Sequence, residues 1–339
     1  MQKEFVQRAG YLAELPGAEE ILNGTFVPEP RMDPYAVQFL SHLKMETAVS
    51  TQPPISKVIS TQSYRDSWKK MKPNTSSSPF GPSFVRYISG SKDQQIAEFD
   101  ATMANIPYAS GYTPEVWMKM VDVLIPKKTT SSAIEKLRII VLFHALFNML
   151  NKRVAQKAIN NARHMNEIPS KAYAKKGHRA IDCGLNKVLT LDIIRQRRVP
   201  AALCCNDAKQ CYDRILHMIA NICLQRVGVH PKTCFVMLGT LQQMKHHIKT
   251  AYGVSKESYG CVQIPLQGVL QGNGAGPAIW MLISIPLINM LRTQGFGFKS
   301  TNILSGEDDQ FSCYTYVDAT DLIHIGDYQT EPQPVIHKM

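Results

Sequence analysis

The segment FSCYTYVDATDLIHI, residues 311–325, contains the clearest fold signal in the chain. Two runs rich in β-branched, aromatic and aliphatic residues, 311–316 and 322–325, flank a short stretch that contains Asp318. Such runs on either side of a turn are typical of an antiparallel hairpin. The sequence therefore predicts a β-hairpin with a carboxylate at its tip.

A second acidic residue, Asp207, follows another predicted strand. Residues 199–206 form a short, mostly apolar run with a proline near its start, as a buried strand could have. Apolar side chains then recur at helical spacing over 212–223, which predicts a helix. Further on, a glycine-rich turn at 268–277 leads into an apolar helix at 278–291.

The first half of the chain mixes helical and strand-like patterns. Helical spacing is found near 37–45 and over 95–103, 113–120, 145–163 and 180–198, and strand-like runs lie at 121–125 and 137–143. The stretch TSSSPFGP at 75–82 has the composition of a linker loop. The sequence therefore predicts a fold with both helices and sheets, of the α/β or α+β class.

Composition and charge point to a folded protein with a polyanionic partner. The 339 residues are 44% hydrophobic and 19% charged, with a formal net charge of +11. Residues 151–200 hold 12 Lys and Arg against 3 Asp and Glu, so this stretch alone carries 12 − 3 = +9. Because apolar residues are interleaved throughout it, we expect a folded basic face rather than a basic tail.

Cysteine usage and hydropathy favour an intracellular protein, nuclear or cytoplasmic and not secreted. None of the eight cysteines forms a C-x-x-C pair, so free thiols in a reducing compartment are expected. The N-terminus lacks the apolar run of a signal peptide. The longest apolar segment, 278–291, is shorter than the roughly 20 residues that a membrane span needs, so no membrane partner is predicted.

Two carboxylates at strand ends in a basic protein suggest a divalent cation. Acidic groups beside a polyanion are unfavourable unless a cation offsets their charge. Mg²⁺ binds one or two carboxylates together with phosphate and water oxygens. Two such ions about 3.5–4 Å apart can bind the attacking and leaving oxygens of a phosphoryl transfer. Asp207 and Asp318 are therefore candidate ligands of Mg²⁺ or Mn²⁺.

Three motifs resemble the palm of reverse transcriptases. DAKQCYD at 207–213 resembles the first, in which an aromatic residue follows the metal-binding Asp by five positions. GVLQGNGAGP at 268–277 resembles the second, a Gln-Gly pair with a proline six residues after the Gln. YVDA at 316–319 resembles the third, the Tyr-x-Asp-Asp hairpin. The three stand in the family's order, and their spacing is 271 − 207 = 64 and 318 − 271 = 47 residues.

Together with the upstream stretches at 75–81 and 125–140, these motifs are most similar to enzymes of eukaryotic non-LTR retrotransposons. The resemblance implies fingers and a palm whose antiparallel sheet is covered by helices. It divides the chain into an extension at 1–70, fingers at 71–198 and a palm at 199–339, with about 230–265 as a segment that could return to the fingers. The thumb of the family has no sequence here.

The resemblance also implies a role for individual residues. Catalysis and metal binding would fall to Asp207 and Asp318, and the substrates would be deoxynucleoside triphosphates (dNTPs) and an RNA or DNA primer–template. The implied nucleotide-binding residues are Lys128, Lys136, Arg138, Tyr212, Gln271 and Gly272. The implied template-binding residues are Lys175, Lys176 and Arg179, whose phosphate contacts would be independent of sequence.

Three other positions qualify this prediction. Ala319 stands where the family's hairpin carries its second Asp, so a carboxylate is lost and full activity is in doubt. Asp321 is not expected to replace it, because strand alternation aims it away from the face of Asp318. The pair at 308–309 is expected to be a solvated polar turn with no strand before it.

Two alternatives to an active polymerase remain open. The first is a catalytically dead retroelement relic that only binds nucleic acid through its basic face. The second is a metal-dependent nuclease, which would share the paired carboxylates but would need neither Tyr212 nor the turn at Gln271.

Overall fold

The computed structural model describes residues 17–326, except 57, 128–135, 176, 209–210, 261–266, 302–304 and 307. The helices are α1 (Ala18–Asn23), α2 (Pro34–Ser41), α3 (Thr47–Ser50), α4 (Thr61–Lys69), α5 (Phe84–Gly90), α6 (Gln94–Ser110), α7 (Ala145–His164), α8 (Ala180–Gln196), α9 (His217–Arg226), α10 (Pro231–Cys234), α11 (Thr240–Gln242) and α12 (Gly276–Thr293). The strands are β1 (Lys119–Pro126), β2 (Leu137–Leu142), β3 (Ala201–Asp207), β4 (Lys245–Thr250), β5 (Gly253–Val254), β6 (Phe298–Thr301), β7 (Asp308–Phe311), β8 (Cys313–Tyr316) and β9 (Ala319–Ile325). This mixture of helices and mainly antiparallel strands confirms the predicted α+β class.

The chain forms two compact units, each built from separate stretches of sequence. The first unit contains residues up to 25, 45–161 and 212–279. The second unit contains residues 26–44, 162–211 and those from 280 onward. The predicted boundaries of extension, fingers and palm stay predictions.

A four-stranded sheet in the order β2-β1-β4-β5 organises the first unit. β1 and β2 form an antiparallel hairpin, and β4 adds to the other side of β1 as a parallel strand. Met120 and Val121 are fully buried in β1, so the sheet is anchored in the core of this unit. The centre of β1 therefore has strand partners on both sides.

An aromatic cluster and a capped helix complete the first unit. The Trp68 ring stacks on Tyr87 with 4.9 Å between centroids, and both side chains are buried. α6 begins after Asp93, whose carboxylate accepts hydrogen bonds from the backbone N–H groups of Gln95 and Ile96. Gly111, with φ of 84°, follows its last residue. A side-chain cap at the start and a left-handed glycine at the end are the usual signals of helix boundaries.

A three-stranded antiparallel sheet in the order β3-β9-β8 organises the second unit. One face carries Tyr314 and Ile323, which pack with Cys183 and Ile194 of α8 in a buried cluster. The segment around Ala172 adds to the free edge of β8 through a bridge to Thr315. α8 and this segment therefore fix the hairpin that the sequence predicts at 311–325.

Two helix predictions are wrong in their details. Over 113–120 the chain makes only a 3₁₀ turn, Glu115–Met118, and then enters β1, because its backbone pairs with two strands. At 212 it makes another 3₁₀ turn, Cys211–Arg214, and α9 begins five residues later than expected. Within the described residues, no helix is both long and apolar enough to cross a membrane.

Candidate functional site

Asp207 and Asp318 meet at one end of the three-stranded sheet. Asp207 is the last residue of β3 and lies directly opposite Ala319, the first residue of β9. The backbone N–H of Ala208 donates to the carbonyl of Asp318 at 3.0 Å. Opposed residues of an antiparallel pair have Cα atoms about 4.5–5.5 Å apart, and the next Cα lies 3.8 Å along the chain. The Cα atoms of the two acidic residues are therefore less than about 10 Å apart.

The turn that carries Asp318 is a tight two-residue loop. Tyr316 pairs with Ala319, so Val317 and Asp318 alone connect β8 to β9. Val317 has φ of 53°, a value that suits the first position of a type II′ turn but that β-branched residues rarely adopt. The indole N–H of Trp280 in α12 donates to the Val317 carbonyl and helps to hold this conformation.

The chemistry of this pair suits a hard cation. Both side chains are exposed and offer only carboxylate oxygens, the ligand type that Mg²⁺ prefers. Within the part of the chain that the structure describes, neither forms a salt bridge, and no group of three or more His, Cys, Asp and Glu residues converges on a common point. The protein can therefore supply two carboxylates here, and water or substrate oxygens would have to supply the other ligands.

Ala319 lies beside Asp207 on the same face of the sheet. Its side chain is exposed, so a carboxylate at this position would stand next to that of Asp207. Asp321 lies on this face too, opposite Cys205. The Lys187 amine lies 2.6 Å from the Asp321 carboxylate. Strand alternation does not separate Asp321 from Asp207, but this ion pair already occupies its carboxylate. Hydrogen bonding to Asp321 also raises the pKa of the Cys205 thiol.

The prediction of a polar turn at 308–309 is wrong. Asp308 and Asp309 belong to β7, which pairs with β6. The Asp309 carboxylate lies 2.6 Å from the Lys171 amine, and the Thr301 hydroxyl donates to Asp308 at 2.7 Å. The Lys171 amine offsets the charge of Asp309, and Asp308 accepts a hydrogen bond across the strand pair, neither of which composition alone revealed.

A second group of predicted site residues lies in the first unit, around the glycine-rich turn. The Tyr212 carbonyl accepts a hydrogen bond from the Val269 N–H at 2.8 Å. The Gln271 carbonyl accepts one from the Val141 N–H of β2, also at 2.8 Å. The structure thus places Tyr212 against the glycine-rich turn, and the turn places Gln271 and Gly272 against β2. The contact between Tyr212 and the turn also explains why α9 begins late.

Gly272 permits an unusually close approach of two backbone segments. Its φ is 122°, and a methyl group on its Cα would stand 2.2 Å from the Val141 carbonyl oxygen. No other amino acid could keep this conformation and this contact. The turn is therefore pressed directly against β2.

Two of the three cations predicted for the triphosphate, Lys136 and Arg138, lie at the start of β2. Arg138 pairs with Ile125 in the sheet and is exposed. Lys136 is exposed, and its carbonyl accepts a hydrogen bond from the Lys127 N–H at 3.0 Å. Lys128 lies outside the described residues.

The two predicted template-binding residues that the structure describes differ in the solvent exposure of their side chains. The Lys175 amine donates to the carbonyls of Pro169 and Ser170 at 3.3 Å, and burial, followed by nearby cations, lowers its pKa. The Arg179 side chain is 81% exposed and lies 4.0 Å from Asp182. Lys176 lies outside the described residues. Arg179 is therefore the more accessible cation, whereas Lys175 holds its own loop.

Sequence reasoning did not single out Asn148, which contacts the glycine-rich turn through both atoms of its amide. Asn148 lies in α7, more than 120 residues before its partners. A contact at that separation leaves no local pattern, so only the tertiary structure reveals it.

Comparison with known proteins relates the chain to retrotransposon proteins. No family model matches it. Over 192 residues, 55% of this chain, it is 27% identical to the retrovirus-related Pol polyprotein from type-1 retrotransposable element R2 of Popillia japonica. The matched part is 26% of that polyprotein, so the chain spans about a quarter of its length. The similarity supports a retroelement-related role and agrees with the resemblance drawn from the three motifs.

Proposed function

We propose that this chain is a reverse transcriptase domain that catalyses template-directed DNA synthesis from dNTPs. The observation that carries the proposal is the convergence of Asp207 and Asp318, from motifs far apart in sequence, at one end of a β-sheet. The order and spacing of the motifs and the similarity to an R2 Pol polyprotein support it.

In the proposed reaction, the primer 3′-hydroxyl oxygen attacks the α-phosphorus of the dNTP. The hydroxyl loses its proton to water, the bond between that phosphorus and the oxygen bridging to the β-phosphorus breaks, and pyrophosphate leaves. Asp207 and Asp318 would hold Mg²⁺ or Mn²⁺, which when bound offsets the charge on the attacking and leaving oxygens. Because both carboxylates are exposed, they are open to substrate oxygens.

The remaining residues would position the nucleotide. Tyr212 would stack under the deoxyribose and exclude a 2′-hydroxyl, and Gln271 and Gly272 would line the pocket. Arg138 would bind the triphosphate through two parallel hydrogen bonds, and Lys136, with Lys128, would add point charges. Most of the rate enhancement would then come from orientation and electrostatics.

The template would lie along the basic part of the second unit. Arg179 is more exposed than Lys175 and would contact a phosphate. Contacts of this kind depend on salt, so the affinity for duplex DNA should fall with a log–log slope of about −0.9 for each phosphate neutralised. A flat salt response would contradict this assignment.

One observation favours a second candidate function, a retroelement relic that binds nucleic acid without catalysis. Ala319 lies directly opposite Asp207, so a carboxylate is lacking beside the proposed metal ligands. By the family's pattern the second Asp is the less stringent one, so we expect weakened activity rather than none.

Primer extension with the full chain tests the proposal. We expect slow incorporation that requires Mg²⁺ or Mn²⁺ and falls by about 10²–10³-fold or more in Asp318→Ala. Ala319→Asp should raise the rate by about tenfold, because it adds a carboxylate beside Asp207.

Three outcomes would contradict the proposal. Equal background signal from the wild type and Asp318→Ala would leave only the relic. Degradation of labelled template without nucleotides would favour the nuclease. An unchanged rate in Ala319→Asp would oppose the assignment of the hairpin tip.

A further inference from the structure

The Asn148 side chain clamps the glycine-rich turn. Its Nδ2 donates to the Gly272 carbonyl at 3.1 Å, and its Oδ1 accepts from the Gly274 N–H at 2.6 Å. Only an amide in this orientation satisfies both partners, because one atom must donate while the other accepts. A single side chain of α7 therefore holds the two residues that flank Asn273.

The clamped turn has a backbone that would not keep its shape by itself. Leu270 has φ of 63° and Gly272 has φ of 122°. A non-glycine residue at positive φ persists only where the surroundings determine it. The Val141 N–H donates to the Gln271 carbonyl, and the Asn148 amide bonds the Gly272 carbonyl and the Gly274 N–H. Asn148 thus supplies part of that support through its side chain.

We propose that Asn148 is a positioning residue that sets Gln271 and Gly272 for nucleotide binding. The inference rests on the proposed function, since it assigns a task to the same pocket. Asn148 acts through the turn and is not itself placed in contact with substrate. Its loss would let the turn move, and a small displacement of a binding group can lower catalytic efficiency by about 100-fold.

A purely structural role predicts a different result. Asn148 is only partly buried, and its hydrogen bond to Gly272 is exposed, so water can replace the lost partners. Removal of the amide should therefore leave the fold intact and shift the unfolding temperature by no more than about 4 °C. The position of the turn should change more than the stability of the protein.

The test measures steady-state primer extension and Mg²⁺–dTTP binding by the full chain. In Asn148→Ala we expect the KM for dTTP to rise by about tenfold or more while kcat changes by less than about threefold, because the lost interaction holds the substrate before the chemical step. Hydrogen exchange of the peptide covering 268–277 should be faster. Gln156→Ala, which removes a side chain of α7 whose amide donates to Asn160, is the matched control and should match the wild type.

Asn148→Asp is a second variant of nearly the same shape. Its carboxylate can accept from the Gly274 N–H but cannot donate to the Gly272 carbonyl. Because the ordinary pKa of an aspartic acid, about 3.9, keeps the group ionised at neutral pH, this variant should also raise the KM for dTTP. A KM equal to that of the wild type would contradict a positioning role for the hydrogen bond to Gly272.

The outcomes separate this inference from the proposed function. If the wild type extends primers and Asn148→Ala binds dTTP equally well, the inference is wrong and the function stands. If the wild type binds dTTP but never incorporates it, the function fails, and weaker binding by Asn148→Ala still supports the clamp. If the wild type does neither, both are overturned.

Discussion

The hairpin at Val317–Asp318 and the glycine-rich turn at 268–276 achieve a fixed geometry in different ways. The hairpin places two exposed carboxylates at a sheet end by strand register, and the Trp280 indole steadies its strained residue. The glycine-rich turn offers mainly backbone groups, which are held by β2 and by the polar side chains of Asn148 and His217. The groups proposed to bind ligands are thus side chains at the hairpin and backbone groups at the glycine-rich turn.

This difference determines how each region should respond to substitution. Changes at the hairpin should alter the chemistry, because the reactive groups are themselves replaced. Changes at the turn should act through displacement, because any new atom must push the backbone away from β2.

The largest combined effect on activity and stability is expected at Gly272. In Gly272→Ala the new methyl group would stand 2.2 Å from the Val141 carbonyl oxygen, at a φ that alanine rarely adopts. The turn must shift, so we expect primer extension to fall by about 100-fold and the free energy of unfolding to drop by about 1–3 kcal/mol.

Gly253→Ala is the matched control for this substitution. Gly253 has a similar φ of 128°, but among the described residues none except its chain neighbours comes within 4 Å of the added methyl group. The Gly253→Ala variant should show only the cost of placing alanine at a positive φ, and it should extend primers at nearly the wild-type rate. Equal loss of activity in both variants would mean that contact with β2 is irrelevant to the turn.

The turn should also make the protein sensitive to acid. His217 is buried and bonds the Gly268 carbonyl at 2.6 Å through Nε2, and burial lowers its pKa from 6.5 to about 4. Between these values the unfolded histidine is protonated and the folded one is not. The free energy of unfolding should therefore fall by a few kcal/mol as the pH drops from about 6.5 to 4.

Denaturant titrations at pH 7 and pH 5 measure this effect. His217→Gln keeps a donor for the Gly268 carbonyl but removes the titration, so its stability should change less between the two pH values. His144, whose pKa burial also lowers to about 4, should account for part of the remaining slope. An identical slope in wild type and variant would contradict the assignment.

The smallest effect is expected next to the hairpin, at Asp321. Asp321→Asn leaves the Lys187 amine without its carboxylate partner in a partly buried position, where the two side chains are 27% and 15% exposed. We expect the free energy of unfolding to fall by about 1–2 kcal/mol and primer extension to stay within about threefold. Asp309→Asn, whose carboxylate is more exposed, should lower stability less. If primer extension were abolished in Asp321→Asn, the metal-binding role proposed for Asp318 would belong to Asp321 instead.

The elements whose own side chains follow a periodic pattern could be predicted from the sequence. Alternating and β-branched runs located β1, β2 and both strands of the hairpin to within about three residues. Helical spacing located α7 and α8, although α8 ends at Gln196, before Arg198 with φ of 55°. These elements have local patterns because their own residues determine which face is buried.

The remainder depends on contacts between distant segments. β4 carries polar residues and becomes a strand by pairing with β1, and Asp308 and Asp309 enter β7 by pairing with β6. The clamp at Asn148 likewise joins residues more than 120 positions apart. Such pairings leave no periodicity in the sequence, so the candidate acids could be chosen in advance but the support of the proposed nucleotide pocket could not.

Binding of Mn²⁺, followed by electron paramagnetic resonance, tests most directly whether the two acids act as one site. We predict that the full chain with dTTP binds Mn²⁺ and that Asp207→Asn and Asp318→Asn each weaken this binding by at least about tenfold, whereas Asp309→Asn does not. Unchanged Mn²⁺ affinity in both single variants would contradict a shared metal site at the end of the sheet.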